Sequence, residues 1–437
     1  MMHRLHWLVL LGCALTSSVT AAQALQASQL DLRLPAELPA PTHVHTGEPL
    51  PSSDTLTLLG ALDAAQSSHP DSLLQAGREL ADAELTRGAT RLLAAPATLS
   101  LRYENDTVGS NVGLQEWGST IDFSLFMPAE RQARKISAEQ QQLLTAALAA
   151  ASRLQIAGEL RNTLWDIRAA AVEVDMAQLA LAAARRMQQT VQKSVAAGAS
   201  AAAELPLLAA ISQQREADLH NAQVELAHSQ RRYLVLTGLD VLPTTIAEPL
   251  LPLTTEQDVL QQHPLLQLVA QQREVAAAGL QLADRSWQQK PSIGVGMRGE
   301  RGRSDQQYVE VAGLFVSIPL DFGGYNSTQK SQARISLAQA ERDQQQALRQ
   351  LQLNLHDAEL NQLSAQRSSE LARHRAELAQ RAHALATRAY ELGEIGLTAL
   401  LRAADEQRQA ALELALQEVR LQRSIAMLNQ AAGHLPQ

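Results

Sequence analysis

The sequence predicts a mainly α-helical protein with a small β part, built from two copies of one pattern. Three observations carry this. Alanine, leucine and glutamine dominate a 437-residue chain that is only 3% aromatic, a composition of long helices packed through small and aliphatic residues. Two spans, 129–197 and 325–392, contain no proline and, apart from Gly158, no glycine. Landmarks also recur at nearly one offset: Pro70 with Pro264, Pro96 with Pro291, Ser124 with Ser317, Gly198 with Gly393, and Gly238 with Gly433. The prolines and glycines carry most of this inference, because alanine-rich helices align with one another by composition alone.

The chain opens with Arg4, an apolar run from Leu5 to Leu15 and small residues ending Ala22-Gln23-Ala24, the pattern of a secretory signal over residues 1–24. Cys13, the only cysteine, lies inside it in LLGC, a stretch resembling a bacterial lipoprotein box with an atypical Leu11. Two readings stay open: Cys13 is lipidated, or it is removed with the signal. If it is removed, stability in an oxidising compartment rests on packing and assembly. A proline-rich N-terminal arm spans 25–55. THVHTGE, with His43 and His45, could ligate a metal weakly, but an extended linker is the better reading.

The first repeat, 56–240, begins with a helix expected over about 56–93 and continues into two strands with period-two alternation. In TLSLRYEND, Leu99, Leu101 and Tyr103 oppose Ser100, Arg102 and Glu104. In STIDFSLFMP, Ile121, Phe123, Leu125 and Met127 oppose Thr120, Asp122 and Ser124. The long helix 129–197 comes next, about 100 Å at 1.5 Å per residue. Glycine-punctuated Ala197, Gly198, Ala199 and Ser200 follow, then a second helix ending at Gly238.

After a linker, 241–254, the second repeat, 255–437, runs in the same order. A helix is expected over about 255–289. SIGVGMRGER then sets Ile293, Val295 and Met297 opposite Gly294, Gly296 and Arg298, and QYVEVAGLFVSIPLDF is a less regular strand in which Gly313 is expected to mark a bulge. The long helix 325–392 requires lateral support, and Leu348, Leu351, Leu355 and Ala358 supply a packing seam. Leu371, Leu378, Leu385 and Leu392 also recur in heptads before the break at Gly393, Glu394, Ile395, Gly396 and Leu397. Glycines there permit positive φ and hence a reversal, so each half reads as a hairpin.

Several function classes are excluded or disfavoured. The net charge of −8, with signs interspersed, leaves no basic stripe for nucleic acid. No phosphate loop, nucleophile elbow or HExxH motif appears, and His356, His374 and His383 lack the spacing of a helical metal site. No enzyme activity, metal or cofactor is therefore expected. No run of eighteen apolar residues follows the signal, so only closed strands could span a membrane. On alternation alone, the strands fit a small soluble sheet as well as lipid-facing barrel strands.

With the repeat, strand pairs and tips established, the chain resembles the outer-membrane efflux protein family, the TolC-like channels of Gram-negative exporters. The resemblance covers essentially the whole chain after the signal. VSIPLDFGGYNSTQKSQARISLAQAE resembles the family's strand-to-helix junction, AYELGEIGLTALLRA its tip, and TLTLLGALDAAQSSHPDSLLQA its leading helix.

This resemblance implies a homotrimer in which each protomer gives four strands to one twelve-stranded transmembrane barrel, and the helices form a coiled-coil barrel through the periplasm. The outward rows would face outer-membrane lipid. The tips, Ala197 to Ser200 and Gly393 to Leu397, would meet a periplasmic adaptor joined to an inner-membrane pump of the RND type, carrying metal or drug. Where the family's best-known member carries entrance aspartates, this chain has Ala399 and Arg402, so an aspartate-ringed gate is in doubt. Glu204 and Arg402 are the candidate constriction residues. The layout is nearer the heavy-metal-efflux branch than the protein-secretion branch. Competing readings are a secreted coiled-coil interaction or adaptor protein, although no lipoyl-like segment is visible, and a component of type I protein secretion.

Overall fold

A computed structural model describes residues 50–197, 201–251, 256–320 and 326–436. The predicted signal with Cys13, the arm with His43 and His45 up to residue 49, and Gly198, Ala199 and Ser200 lie outside the described residues. From residue 50 the order is β1 (Ser52–Ser53), α1 (Leu58–Ser68), α2 (Asp71–Thr90), β2 (Thr98–Asn105), β3 (Gln115–Ser124), α3 (Pro128–Ala196) and α4 (Glu204–Thr237). It continues with β4 (Leu242–Pro243), α5 (Glu256–Gln262), α6 (Pro264–Arg285), β5 (Ser292–Arg301), β6 (Val309–Ser317), α7 (Ser327–Glu391) and α8 (Leu397–Ala431).

The helices expected over 56–93 and 255–289 are each broken in two. Both breaks fall at a His-Pro step. A proline ring crowds the residue before it out of the helical region, and His69 (ψ 137°) and His263 (ψ 124°) are accordingly extended. Each histidine then caps the next helix: Nδ1 of His69 accepts from the Asp71 amide at 3.2 Å, and Nδ1 of His263 from the Leu265 amide at 3.1 Å.

The helices α3 and α7 run 69 and 65 residues. Each folds back on its successor, α3 against α4 and α7 against α8, while α6 lies against both α3 and α7. At the α7 end only Gly393 adopts a positive φ (77°), which lets the Glu394 amide donate to the Ala389 carbonyl (2.9 Å) and the Gly393 amide to that of Tyr390 (3.0 Å). Gly396 is extended and opens α8, so one glycine makes the reversal rather than two. The seam differs from expectation as well. Leu351 and Leu355 are buried but Leu348 is 38% exposed, and Leu371, Leu378, Leu385 and Leu392 stand 54 to 71% exposed. Toward its tip α7 is buried through the small residues Ser369, Ala372 and Ala379 instead.

The main core sits at the middle of α3. Ile156, Leu160, Leu164 and Ile167 meet Leu58, Ala61, Leu62 and Ala65 of α1 and Leu226 and Tyr233 of α4. Burying each large aliphatic there contributes about 1.5–3 kcal/mol. The fully buried Tyr233 hydroxyl donates to the Val241 carbonyl at 3.0 Å, and burial pushes its pKa up to about 12. The parallel pair β1 and β4 straps the same level through Ser52 opposite Leu242.

A buried polar cluster adjoins this core. Arg161 pairs with Glu248 through Nε to Oε1 (2.7 Å) and Nη2 to Oε2 (2.6 Å), with both side chains almost wholly enclosed. Its Nη1 also donates to the His434 carbonyl (2.9 Å) and to the Gln430 side chain. Gln430 in turn donates to the Leu154 carbonyl (2.8 Å), passing directly over Gly158, where a Cβ would come within 3.0 Å of it. This close approach accounts for the one glycine inside α3.

Candidate functional site

Two regions hold the functional candidates: the strand sheet and the helical tips. The sheet runs β2-β3-β5-β6, antiparallel throughout, with β2 and β6 as its two edges. Leu99, Ile121, Val295 and Leu314 stand in one row; Leu101, Ser119, Met297 and Ala312 in the next; Phe123, Ile293 and Val316 in a third. Directly opposed residues share a face, so Leu99, Leu101, Tyr103, Ile121, Phe123, Ile293, Val295 and Met297 all lie on one side, with Trp117 among them. Most of these side chains are well exposed on a single chain.

Two details depart from the sequence reading, and a third bears out the irregular fourth strand. β3 begins at Gln115 and ends at Ser124, so Leu125 lies past the strand, half-buried in an isolated bridge with Leu93. No bulge interrupts β6, since Gly313 sits directly across from Gly296 in an unbroken register. The opposite face is polar in β2, β3 and β5, but β6 contributes Val309, Val311 and Phe315 to it.

The loop from β2 to β3 is organised by Asp106, whose carboxylate accepts from Ser110 Oγ (2.9 Å) and the amides of Val112 (2.6 Å) and Gly113 (3.2 Å). That loop meets the one between β5 and β6, where the Ser304 amide donates to the Val112 carbonyl (3.3 Å). At the other end, strands pass into helices around Glu130. This fully buried carboxylate accepts from Lys290 Nζ (2.6 and 2.8 Å) and Arg134 Nη2 (3.2 Å), while both cations also sit over the Phe126 ring.

At the tips, Val191, Leu208 and Leu397 share one apolar cluster with Val195, Leu205, Tyr390 and Leu401, so the ends of both hairpins pack together. Ala197, Gly393, Glu394 and Gly396 are exposed and Ile395 half-buried, whereas Leu397 is buried and holds the tip rather than presenting to a partner. Glu204 opens α4, half-buried, with Oε2 enclosed and unpartnered. Arg402 is exposed, and no ion pair joins the two among the described residues. Near the tips an ion pair that crosses between hairpins is Arg215 with Asp405 (2.8 Å), which also bonds Arg408 (3.0 Å), beside a cavity of 410 Å³ lined by Met176, Met187 and Ile211. Sequence reasoning missed these residues. Their spacing marks only i,i+3 neighbours, Arg215 with Asp218 and Asp405 with Arg408.

Among the described residues no group of histidine, cysteine or acidic side chains is arranged to hold a metal, and no helix is long and apolar enough to cross a membrane.

The chain thus carries an antiparallel sheet with one apolar face and two free edges on two long helical hairpins. Residues 256–434 match the outer membrane efflux protein family, whose members are passive channels and not enzymes. Solved structures share the fold over most of the chain. CusC matches with a TM-score of 0.71 at 15% identity, covering 86% of this chain and 92% of its own. A membrane protein from Pseudomonas aeruginosa gives 0.69 at 16%, covering 88% and 91%, and the outer membrane protein VceC from Vibrio cholerae 0.67 at 16%, covering 87% and 97%. A comparison with curated protein sequences finds no match.

Proposed function

We propose that this chain is one protomer of a homotrimeric exit duct in an efflux system of Gram-negative bacteria. Its four strands join those of two further copies in a twelve-stranded barrel in the outer membrane, and its hairpins line a tunnel through the periplasm. The sheet carries the reading. Strands of 8 to 10 residues are about as long as a tilted crossing of the hydrocarbon core requires, and an apolar sheet with both edges unpaired satisfies its backbone in lipid only by closing. The exposed leucine row of α7 adds support, because a second copy lying along it would remove that surface from water.

Such a duct does no chemistry. It supplies a wet path, and direction comes from whatever feeds it. The exposed tips at Ala197 and at Gly393 to Gly396 are the surfaces that a periplasmic adaptor would hold, coupling the duct to an RND-type inner-membrane pump that selects metal or drug cargo. Fractionation tests the core of the proposal. The protein is expected in the outer membrane, and a Leu101→Cys/Ala312→Cys variant, with one cysteine in each edge strand, is expected to give a covalent trimer with a short bismaleimide. A soluble periplasmic monomer would overturn it.

A further inference from the structure

The polar face of the sheet is not uniformly polar; its rows are sorted by side-chain length and charge. Nearest the helices stand Ser124, Ser292 and Ser317, then the row Thr98, Asp122, Gly294 and Phe315, and beyond it Ser100, Thr120, Gly296 and Gly313, all small. The next row places Arg102 and Arg298 on either side of Gly118. The last, at the loop end, aligns Glu104, Glu116 and Glu300 directly across three adjacent strands.

Opposed like charges on neighbouring strands are unfavourable, and the arginine row behind them compensates only in part. Arg102 donates to Glu104 through Nε (2.7 Å) and Nη2, and Arg298 reaches Glu300 (3.2 Å) and, more loosely, Glu116 (3.7 Å). Two guanidiniums face three carboxylates. The surplus is one negative charge per protomer, on side chains that stand about 25 to 69% exposed. Apart from Phe315 at the edge strand, short side chains lie below and long charged ones above, so that, wherever this face lines a lumen, the charged belt is its furthest-projecting charged band.

We propose that this belt sets the charge selectivity of the duct at its outer mouth, favouring cations over anions. The inference rests on the barrel reading above, in which the polar face is the luminal one. Rings of ionised side chains at a constriction concentrate counterions and repel co-ions. Among the strand residues of this face, Glu104, Glu116 and Glu300 lie nearest the loops, with Arg102 and Arg298 one row deeper.

The test is the cation-to-anion permeability ratio of the purified full-length protein in planar lipid bilayers under a potassium chloride gradient. The unmodified channel is expected to prefer potassium. Glu104→Gln/Glu116→Gln/Glu300→Gln, which keeps side-chain length and leaves both arginines uncompensated, is expected to lower the ratio by roughly threefold or more and take it below unity. Arg102→Gln/Arg298→Gln is expected to raise it. Both effects shrink at 1 M salt, where the screening length falls to about 3 Å from about 10 Å at 0.1 M. Should the triple variant fail to insert, Glu300→Gln and Arg298→Gln alone carry the same opposite-signed comparison. Ratios unmoved by any of these changes, or moved in one direction by both signs, overturn the inference. Failure of the unmodified protein to form channels overturns the barrel reading instead.

Discussion

Arg161→Met is the substitution whose consequence follows most directly from the fold. It removes four hydrogen bonds at once: two to Glu248, one to the His434 carbonyl and one to Gln430. The Glu248 carboxylate stays buried, with the Asn429 amide at 3.4 Å as its remaining neighbouring donor. Stranding one member of a buried ion pair costs about 3–5 kcal/mol, because the charge has lost its water without keeping a partner. Glu248→Gln leaves the guanidinium uncompensated and is expected to cost a similar amount. The double variant Arg161→Met/Glu248→Met buries no charge, so its expected loss is only about 1–2 kcal/mol, from Gln430, Asn429 and the His434 carbonyl left short of partners. Urea unfolding of the detergent-solubilised protein, followed by helical circular dichroism, measures all three at unchanged m-value. Single variants within 1 kcal/mol of the parent, or a double variant as costly as the two singles added, would refute the reasoning, since uncoupled residues add.

Four further outcomes are expected. Gly158→Ala places a methyl 3.0 Å from Gln430 Nε2 and disturbs the same cluster from the other side, lowering the urea midpoint while Gly279→Ala, at an open helix position, raises it slightly. Gly393→Ala fits sterically but must hold φ near 77°, costing about 1–2 kcal/mol, which a melting curve should register without loss of helix. His263 has its pKa depressed to about 4 by burial and the nearby His434, so the unfolded chain binds the extra proton first. Its contribution is complete above about pH 6.5 and is lost as pH falls toward 4, and His263→Asn, which keeps a capping side chain, should flatten the stability profile across that window. If Glu204 and Arg402 form the constriction, Glu204→Ala and Arg402→Ala change single-channel conductance and ion selectivity, and unchanged recordings remove both from the gate.

Much of this architecture was legible in the chain because its signals are local. The near absence of breakers and a steady supply of alanine, leucine and glutamine mark a long helix in the sequence, although holding 69 residues helical also takes lateral packing. The alternation that put Leu99 with Tyr103 and Ile293 with Met297 on common faces follows from a backbone whose side chains point to opposite sides in turn. The His-Pro breaks were equally local. Proline at or just before the first helical position, with a side-chain acceptor ahead of it, is a helix start, and Pro70, which precedes α2, and Pro264, which opens α6, carry that signal inside what the sequence alone reads as one longer helix. Leu348 shows the limit of heptad spacing, which marks a stripe on a helix without saying how wide a stripe the neighbour covers.

What only the tertiary structure decided is everything that depends on distant segments meeting. Arg161, Glu248 and Gln430 come from a long helix, a linker and the last helix, and no periodicity relates them. Arg215 and Asp405 each look like half of an ordinary helical ion pair until the hairpins are set side by side. Strand order decided most of all. Alternation assigned each of Glu104, Glu116 and Glu300 a side of its own strand, but only the register β2-β3-β5 brings the three carboxylates into one row with two arginines behind them. The chain by itself determines which faces are apolar and where helices turn, since those preferences act over a few residues. Which charges confront each other is settled by packing, because electrostatic partners are chosen by distance in space rather than distance along the sequence.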